Sequence, residues 1–125
     1  ITTKSDRVLR DLDLLAELAR HRLTAVVISV TSLDPVLSRK LEPRAATPER
    51  RLAALAALAE AGVPAHCSVS PLIPALTDAW LEAIVARAGA AGVQSAGWIA
   101  LRLPHEMAPL FREWLAVHYP ERAAK

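Results

Sequence analysis

The sequence reads as an α/β domain, with repeated β–α units laid around a parallel sheet of about four strands. Two observations predict this. Three short β-rich runs recur along the chain, each followed by a stretch of helical period. Alternation of strand and helix is what right-handed crossovers onto parallel strands require. The first run, Ala25-Val26-Val27-Ile28-Ser29-Val30, is continuous and β-branched rather than alternating, as in a strand covered on both faces.

Taken in order, Ile1 to Thr3 reads as the stump of a strand. Asp6 is placed to cap a helix running to about His21, with Leu12, Leu15 and Ala19 on one face. After the Ala25–Val30 strand, Thr47-Pro48-Glu49 supplies a cap, a proline at the first helical position and an acid in the first turn. That helix carries Leu52, Leu55 and Leu58 and stops at Gly62, a residue suited to the left-handed conformation. A strand follows from Val63 to Val69. Thr77 or Asp78 opens the next helix, through Leu81, Ile84 and Val85 to near Gly92. Ala96 to Leu103, with Trp98, Ile99 and Leu101, is the last strand. The last helix spans about Glu106 to His118, where Pro109 is tolerable only within the first turn. No internal repeat suggests a solenoid. Periodicity leaves two architectures open, a small three-layer sandwich or half of a six- or eight-stranded barrel.

At 125 residues, 53% hydrophobic and 22% charged, the chain has room for one globular domain and is too apolar for disorder. Fifteen basic residues against 13 acidic give +2, too even to announce a nucleic-acid or membrane-surface protein. No apolar run reaches the roughly 18 residues of a membrane span. One cysteine, Cys67, excludes an internal disulfide and a four-cysteine metal site within this chain. With Ile1 first and no secretory leader, the chain is expected to be part of a larger reading frame and cytoplasmic.

In both architectures ligands sit at the carboxyl ends of the strands. Four places qualify: Thr3-Lys4-Ser5, Ser29-Val30-Thr31-Ser32, Ser68-Val69-Ser70-Pro71 and Arg102-Leu103-Pro104-His105. Each hydroxyl alone is explained by helix capping or backbone bonding, but four polar strand ends together point to a polar ligand pocket. Neither GxGxxG nor GxxxxGK[S/T] is present, so nucleotide sites of the usual kind are excluded. No GxSxG elbow accompanies Ser29, Ser68 or Ser70. His66 and Cys67 are strand neighbours on opposite faces and cannot share a metal. His66 is expected to be a hydrogen-bonded strand residue and Cys67 a small core residue. His21 and His118 end helices, where the dipole favours them.

Three segments, ITTKSDRVLRDLDLLAELA (Ile1 to Ala19), ISVTSLDPVLSRKLEPRAATPERRLAALAALAEAGVP (Ile28 to Pro64) and SVSPLIPALTD (Ser68 to Asp78), resemble radical S-adenosylmethionine enzymes. The likeness is to the bacterial branch related to spore photoproduct lyase, and LRLPHEMAPLFREWLAVHYPERA (Leu101 to Ala123) is similar to the end of that branch's core domain. The resemblance implies half of a partial (β/α)6 TIM-like barrel. Residues 1–125 would be its carboxyl half, strands three to six with their helices on one outer face. It further implies S-adenosylmethionine and a four-iron four-sulfur cluster in the full-length protein. The CxxxCxxC loop that holds the cluster is absent from this sequence, as is the glycine- and acid-containing loop that grips the methionine amino group. One thiolate cannot hold a cluster, so this chain alone is expected to be inactive and to bind neither group.

By the same resemblance, Lys4 would reach the methionine carboxylate, and Ser29 with Thr31 the ribose hydroxyls. Ser70, Leu72 and Ile73 would pack on the adenine; Trp98 and Leu101 would sit near the adenine or substrate, but core packing explains them better. Glu42, Arg44 and Arg51 form a separate set, expected on a loop above the barrel to bind substrate or order that loop through an ion pair. Arg51 also lies in the first turns of its helix, where a cation opposes the dipole, which gives it a reason beyond solubility. The implied substrate is unknown, nucleic acid has little support from the charge balance, and no membrane partner is expected. The open edge strand at Ile1 to Thr3 and the open inner face favour self-association, as a dimer or swapped assembly. The rival reading is a non-catalytic α/β binding domain that recruits a partner through that edge.

Overall fold

The computed structural model describes residues 1–74 and 76–122 and, of Pro71, the backbone alone. Residues 123–125 of the expected domain and Ala75 of its PLIPA stretch thus lie outside the described residues. Four strands, β1 (Thr2–Thr3), β2 (Val26–Ser29), β3 (Ala65–Leu72) and β4 (Ser95–Ala100), form one parallel sheet in chain order. Each strand steps to the next in the same direction, so right-handed connections all fall on one side. There lie α1 (Leu12–Arg20), α3 (Pro48–Glu60) and α4 (Leu81–Ala91). Two further helices, α2 (Pro35–Leu41) and α5 (Met107–His118), pack beyond the carboxyl ends of the strands.

Side-chain alternation along the strands gives the sheet two different faces. Val26, Ile28 and Val30 of β2 and its continuation, with Ala65, Cys67 and Val69 of β3, are buried against Leu15, Leu52, Leu55, Leu58, Ile84 and Ala88. The alternate positions, Val27, Ser29 and Thr31 beside His66, Ser68 and Ser70, belong to the opposite face. That face is polar, and the helices that build the main core all lie on the other. A doubly wound sheet would need an apolar second face and helices to cover it. This is the half-barrel arrangement.

Local signals explain most of the helix ends. Thr47 Oγ1 accepts the Arg50 amide at 3.4 Å, Pro48 opens α3, and Gly62 follows it at φ +80°. Gly92 ends α4 at φ +98°, and a Cβ there would come within 3.1 Å of the Ala59 Cβ, so shape and conformation both call for glycine. Pro109 falls in the first turn of α5, where its missing N–H costs nothing.

Three expectations need correction. Asp6 does not cap an α-helix. Ser5 accepts the Arg7 amide and starts a 3-10 segment, Asp6–Asp11, and α1 begins only at Leu12. The stretch RKLEPRA, expected as a loop above the barrel, is helical as far as Leu41. Asp34 accepts the Val36 amide at 2.9 Å and Pro35 stands at the first position, the same device as Thr47-Pro48. Trp98 is 57% exposed rather than packed on a ligand or in the core. Paired with Val69, it faces the helix side of β4, but α5 does not return over that strand. Phe111, Trp114 and Leu115 join Leu37, Leu41, Ile73, Leu76 and Leu101 in a second cluster instead.

Candidate functional site

At the carboxyl ends of β1 and β2, four charged or hydroxyl side chains from four segments converge. Arg51, from the first turns of α3, is 1% exposed. Its Nε donates to the Ala46 carbonyl at 2.8 Å, Nη1 to the Ser29 carbonyl at 2.9 Å, and Nη2 to Glu42 Oε1 at 3.1 Å. A guanidinium buried at a helix start carries a desolvation cost and a dipole cost. The carboxylate and two carbonyls offset both.

Glu42 terminates α2, with its amide bonded to the Ser38 carbonyl at 2.8 Å. Its side chain is 11% exposed and takes three donors: Arg51, the Thr31 hydroxyl at 3.1 Å on the same oxygen, and Lys4 on the other. Burial alone would raise the carboxyl's pKa. The Lys4 hydrogen bond and the charges of Arg51 and Lys4, helped by Thr31, outweigh it and hold Glu42 below the usual carboxylate range. Lys4 follows β1, and its side chain is 42% exposed. The amide of Ala46 donates to the Lys4 carbonyl at 3.2 Å, tying the segment after α2 to the end of β1.

Beside this cluster runs the polar face. Strand register places Thr2, Val27, His66 and Ser95 in one row and Ser29, Ser68 and Gly97 in the next. His66 Nδ1 and Ser95 Oγ share a hydrogen bond at 2.6 Å, as a strand histidine was expected to do. Between Val69 and Leu72 the β3–β4 register shifts by one residue, a bulge that includes Ser70 and Pro71; proline has no N–H for the ladder there.

The structure thus brings Lys4, Thr31, Glu42 and Arg51 together, with Ser29 entering through its carbonyl. It does not bring in Arg44, which is exposed. Ser70 is half-buried, Leu72 packs on the main core, and Ile73 is buried in the second cluster. Ile73 also lines, with Leu41, Leu101, Phe111 and Trp114, an apolar cleft of about 300 Å³ near the ends of β3 and β4. Sequence reading missed the Thr77 hydroxyl, which is fully buried and accepts the Ile73 amide at 2.7 Å. It also missed the two carbonyls that hold Arg51. Backbone acceptors leave no trace in residue identity.

Comparison with known proteins now decides the family. Residues 1–88 match the Radical SAM superfamily. The chain belongs to that superfamily. It is 35% identical over 127 residues to an uncharacterized protein of Mycobacterium tuberculosis and, with the same figures, to one of Mycobacterium bovis. Each match covers the whole of this chain and 37% of the relative, so the chain spans a little over a third of those relatives' length. An uncharacterized protein of Methanocaldococcus jannaschii is 36% identical over 78 residues, 62% of this chain and 29% of its own.

Full-length radical SAM proteins use S-adenosylmethionine and a four-iron four-sulfur cluster. The cluster does not fit the residues of this chain. Cys67, the sole cysteine, is buried on the helix side of β3, away from the polar face, and burial pushes its thiol up to about 11. Among the described residues no group of three or more His, Cys, Asp or Glu could hold a metal. Toward S-adenosylmethionine the chain offers groups of the right chemistry for a carboxylate and a ribose: the partly exposed Lys4 side chain, paired with Glu42, and the half-buried hydroxyls of Ser68 and Ser70, whereas the Ser29 and Thr31 side chains are buried. No helix among the described residues is long and apolar enough to cross a membrane.

Proposed function

We propose that this chain is the carboxyl half of the core domain of a longer radical SAM enzyme, in the branch related to spore photoproduct lyase. It would supply strands three to six and the cofactor-facing wall of the partial barrel. The observation that carries this reading is a polar sheet face that none of the core helices covers, in a chain that matches the superfamily. In a two-sided fold that face would be apolar and covered.

On this reading S-adenosylmethionine lies across the carboxyl ends of the strands. Lys4 takes the methionine carboxylate through a compact ammonium, Ser29 and Thr31 lie along the ribose, and Ser70 and Ile73 border the adenine, while Leu72 is taken up by the main core. Glu42 and Arg51 order the segment between α2 and α3. The cluster's cysteines belong to a part of the protein outside this chain, and its chemistry, reductive cleavage of S-adenosylmethionine to an adenosyl radical that takes hydrogen from a substrate, is that of the whole enzyme. A reducing cytoplasm suits such thiolate ligands.

Anaerobic reconstitution with iron and sulfide tests the reading. This chain alone is expected to stay colourless, whereas the full-length protein is expected to take up a cluster and, once reduced, to release 5′-deoxyadenosine from S-adenosylmethionine. Cluster uptake by the chain alone, or a full-length protein that binds neither iron nor S-adenosylmethionine, contradicts it.

A further inference from the structure

The converging cluster contains two cations and one carboxylate. Arg51 is held at each of its three nitrogens by an acceptor, two of them backbone carbonyls that cannot move without moving β2 or the start of α3. Glu42 is thereby fixed from one side by Arg51 and Thr31, and presents its second oxygen to Lys4. Lys4 is the flexible member. A lysine side chain at a strand end has a four-carbon stem and no inherent direction, and this one is 42% exposed, within reach of a ligand from solvent. An ammonium has three donors, and Glu42 occupies one oxygen's worth of them.

We infer that Glu42 is a positioning residue, anchored by Arg51 and Thr31, that aims the Lys4 ammonium and leaves the cluster one negative charge short, so that a carboxylate of the ligand completes it. The inference rests on the reading above, in which that carboxylate is the methionine carboxylate of S-adenosylmethionine. The pair of cations is then matched by two carboxylates, one resident and one arriving. Without Glu42 the lysine keeps its charge but loses its direction, and the ligand must order it.

The test compares S-adenosylmethionine with decarboxylated S-adenosylmethionine by calorimetry on the reconstituted full-length protein. The ratio of the two dissociation constants measures the preference for the carboxylate. Lys4→Ala is expected to lower that preference by about tenfold or more, the scale of one charge-assisted hydrogen bond. Glu42→Gln is expected to lower it by a similar factor although Lys4 is intact, and to add little in the double variant. A merely structural role for Glu42 would weaken both ligands equally and leave the ratio unchanged, and that result overturns the inference. A ratio untouched by Lys4→Ala overturns the underlying placement of the carboxylate as well. Should Glu42→Gln fail to fold, Thr31→Val removes only one of the anchors. A fall in the ratio of about threefold supports the inference, and no change overturns it.

Discussion

Arg51 shows what a single side chain can hold in place. Replacing it by alanine would strand Glu42 in a largely buried site with one cation fewer and remove the links to Ser29 and Ala46. Breaking a buried pair from one side costs about 3–5 kcal/mol, so Arg51→Ala is expected to lower the urea midpoint of the chain sharply, and an unchanged midpoint would contradict the network. The same cluster fixes a pH response. The folded state depresses the Glu42 pKa, so the stability it contributes is complete above the ordinary carboxylate value of 4.5 and is lost as pH falls through the lower folded value. Acid unfolding should accordingly begin below that value and should shift in Glu42→Gln, as followed by circular dichroism. Cys67 gives a third expectation. Buried and held neutral at pH 8, it should resist alkylation in the native chain and react at once in urea. Rapid native labelling would mean that β3 opens.

At the scale of elements, much of the fold was legible because its signals are local. The apolar run Ala25–Val30, the Thr47-Pro48 start and the glycines at 62 and 92 each fix a boundary through backbone geometry alone. What was missed had a tertiary cause. Asp34-Pro35 carries the same start signal as Thr47-Pro48, but α2 is only seven residues long and its apolar side is explained by α5. Trp98 reads as a core or ligand residue from its apolar bulk, but α5 packs in the second cluster and leaves that side of β4 open. In the site, Glu42 and Arg51 could be singled out as a charged pair, but not their junction with Lys4 across 37 residues of intervening chain. The core itself makes a plain prediction. Leu55, fully buried between α3 and the sheet, should cost about 2–5 kcal/mol on truncation to alanine, measured by denaturant unfolding.

For the whole molecule, the sheet's inner face is polar, and β4 stands at one edge with no further strand among the described residues. Trp98 and Ile99, on its two faces, are 57% and 56% exposed. Unpaired edges and exposed apolar residues associate, and we expect light scattering to return a mass above the monomer for this chain alone, reduced by Ile99→Lys; a clean monomer at high concentration would contradict this.

The central claim is that this chain forms the S-adenosylmethionine-binding wall of a radical SAM core without touching the cluster. Calorimetry with S-adenosylmethionine on the full-length Lys4→Ala protein, read beside its iron and sulfide content, tests it most directly. The account predicts affinity weaker by about tenfold to a hundredfold with an unchanged cluster. Wild-type affinity, or loss of the cluster together with the lysine, would contradict it.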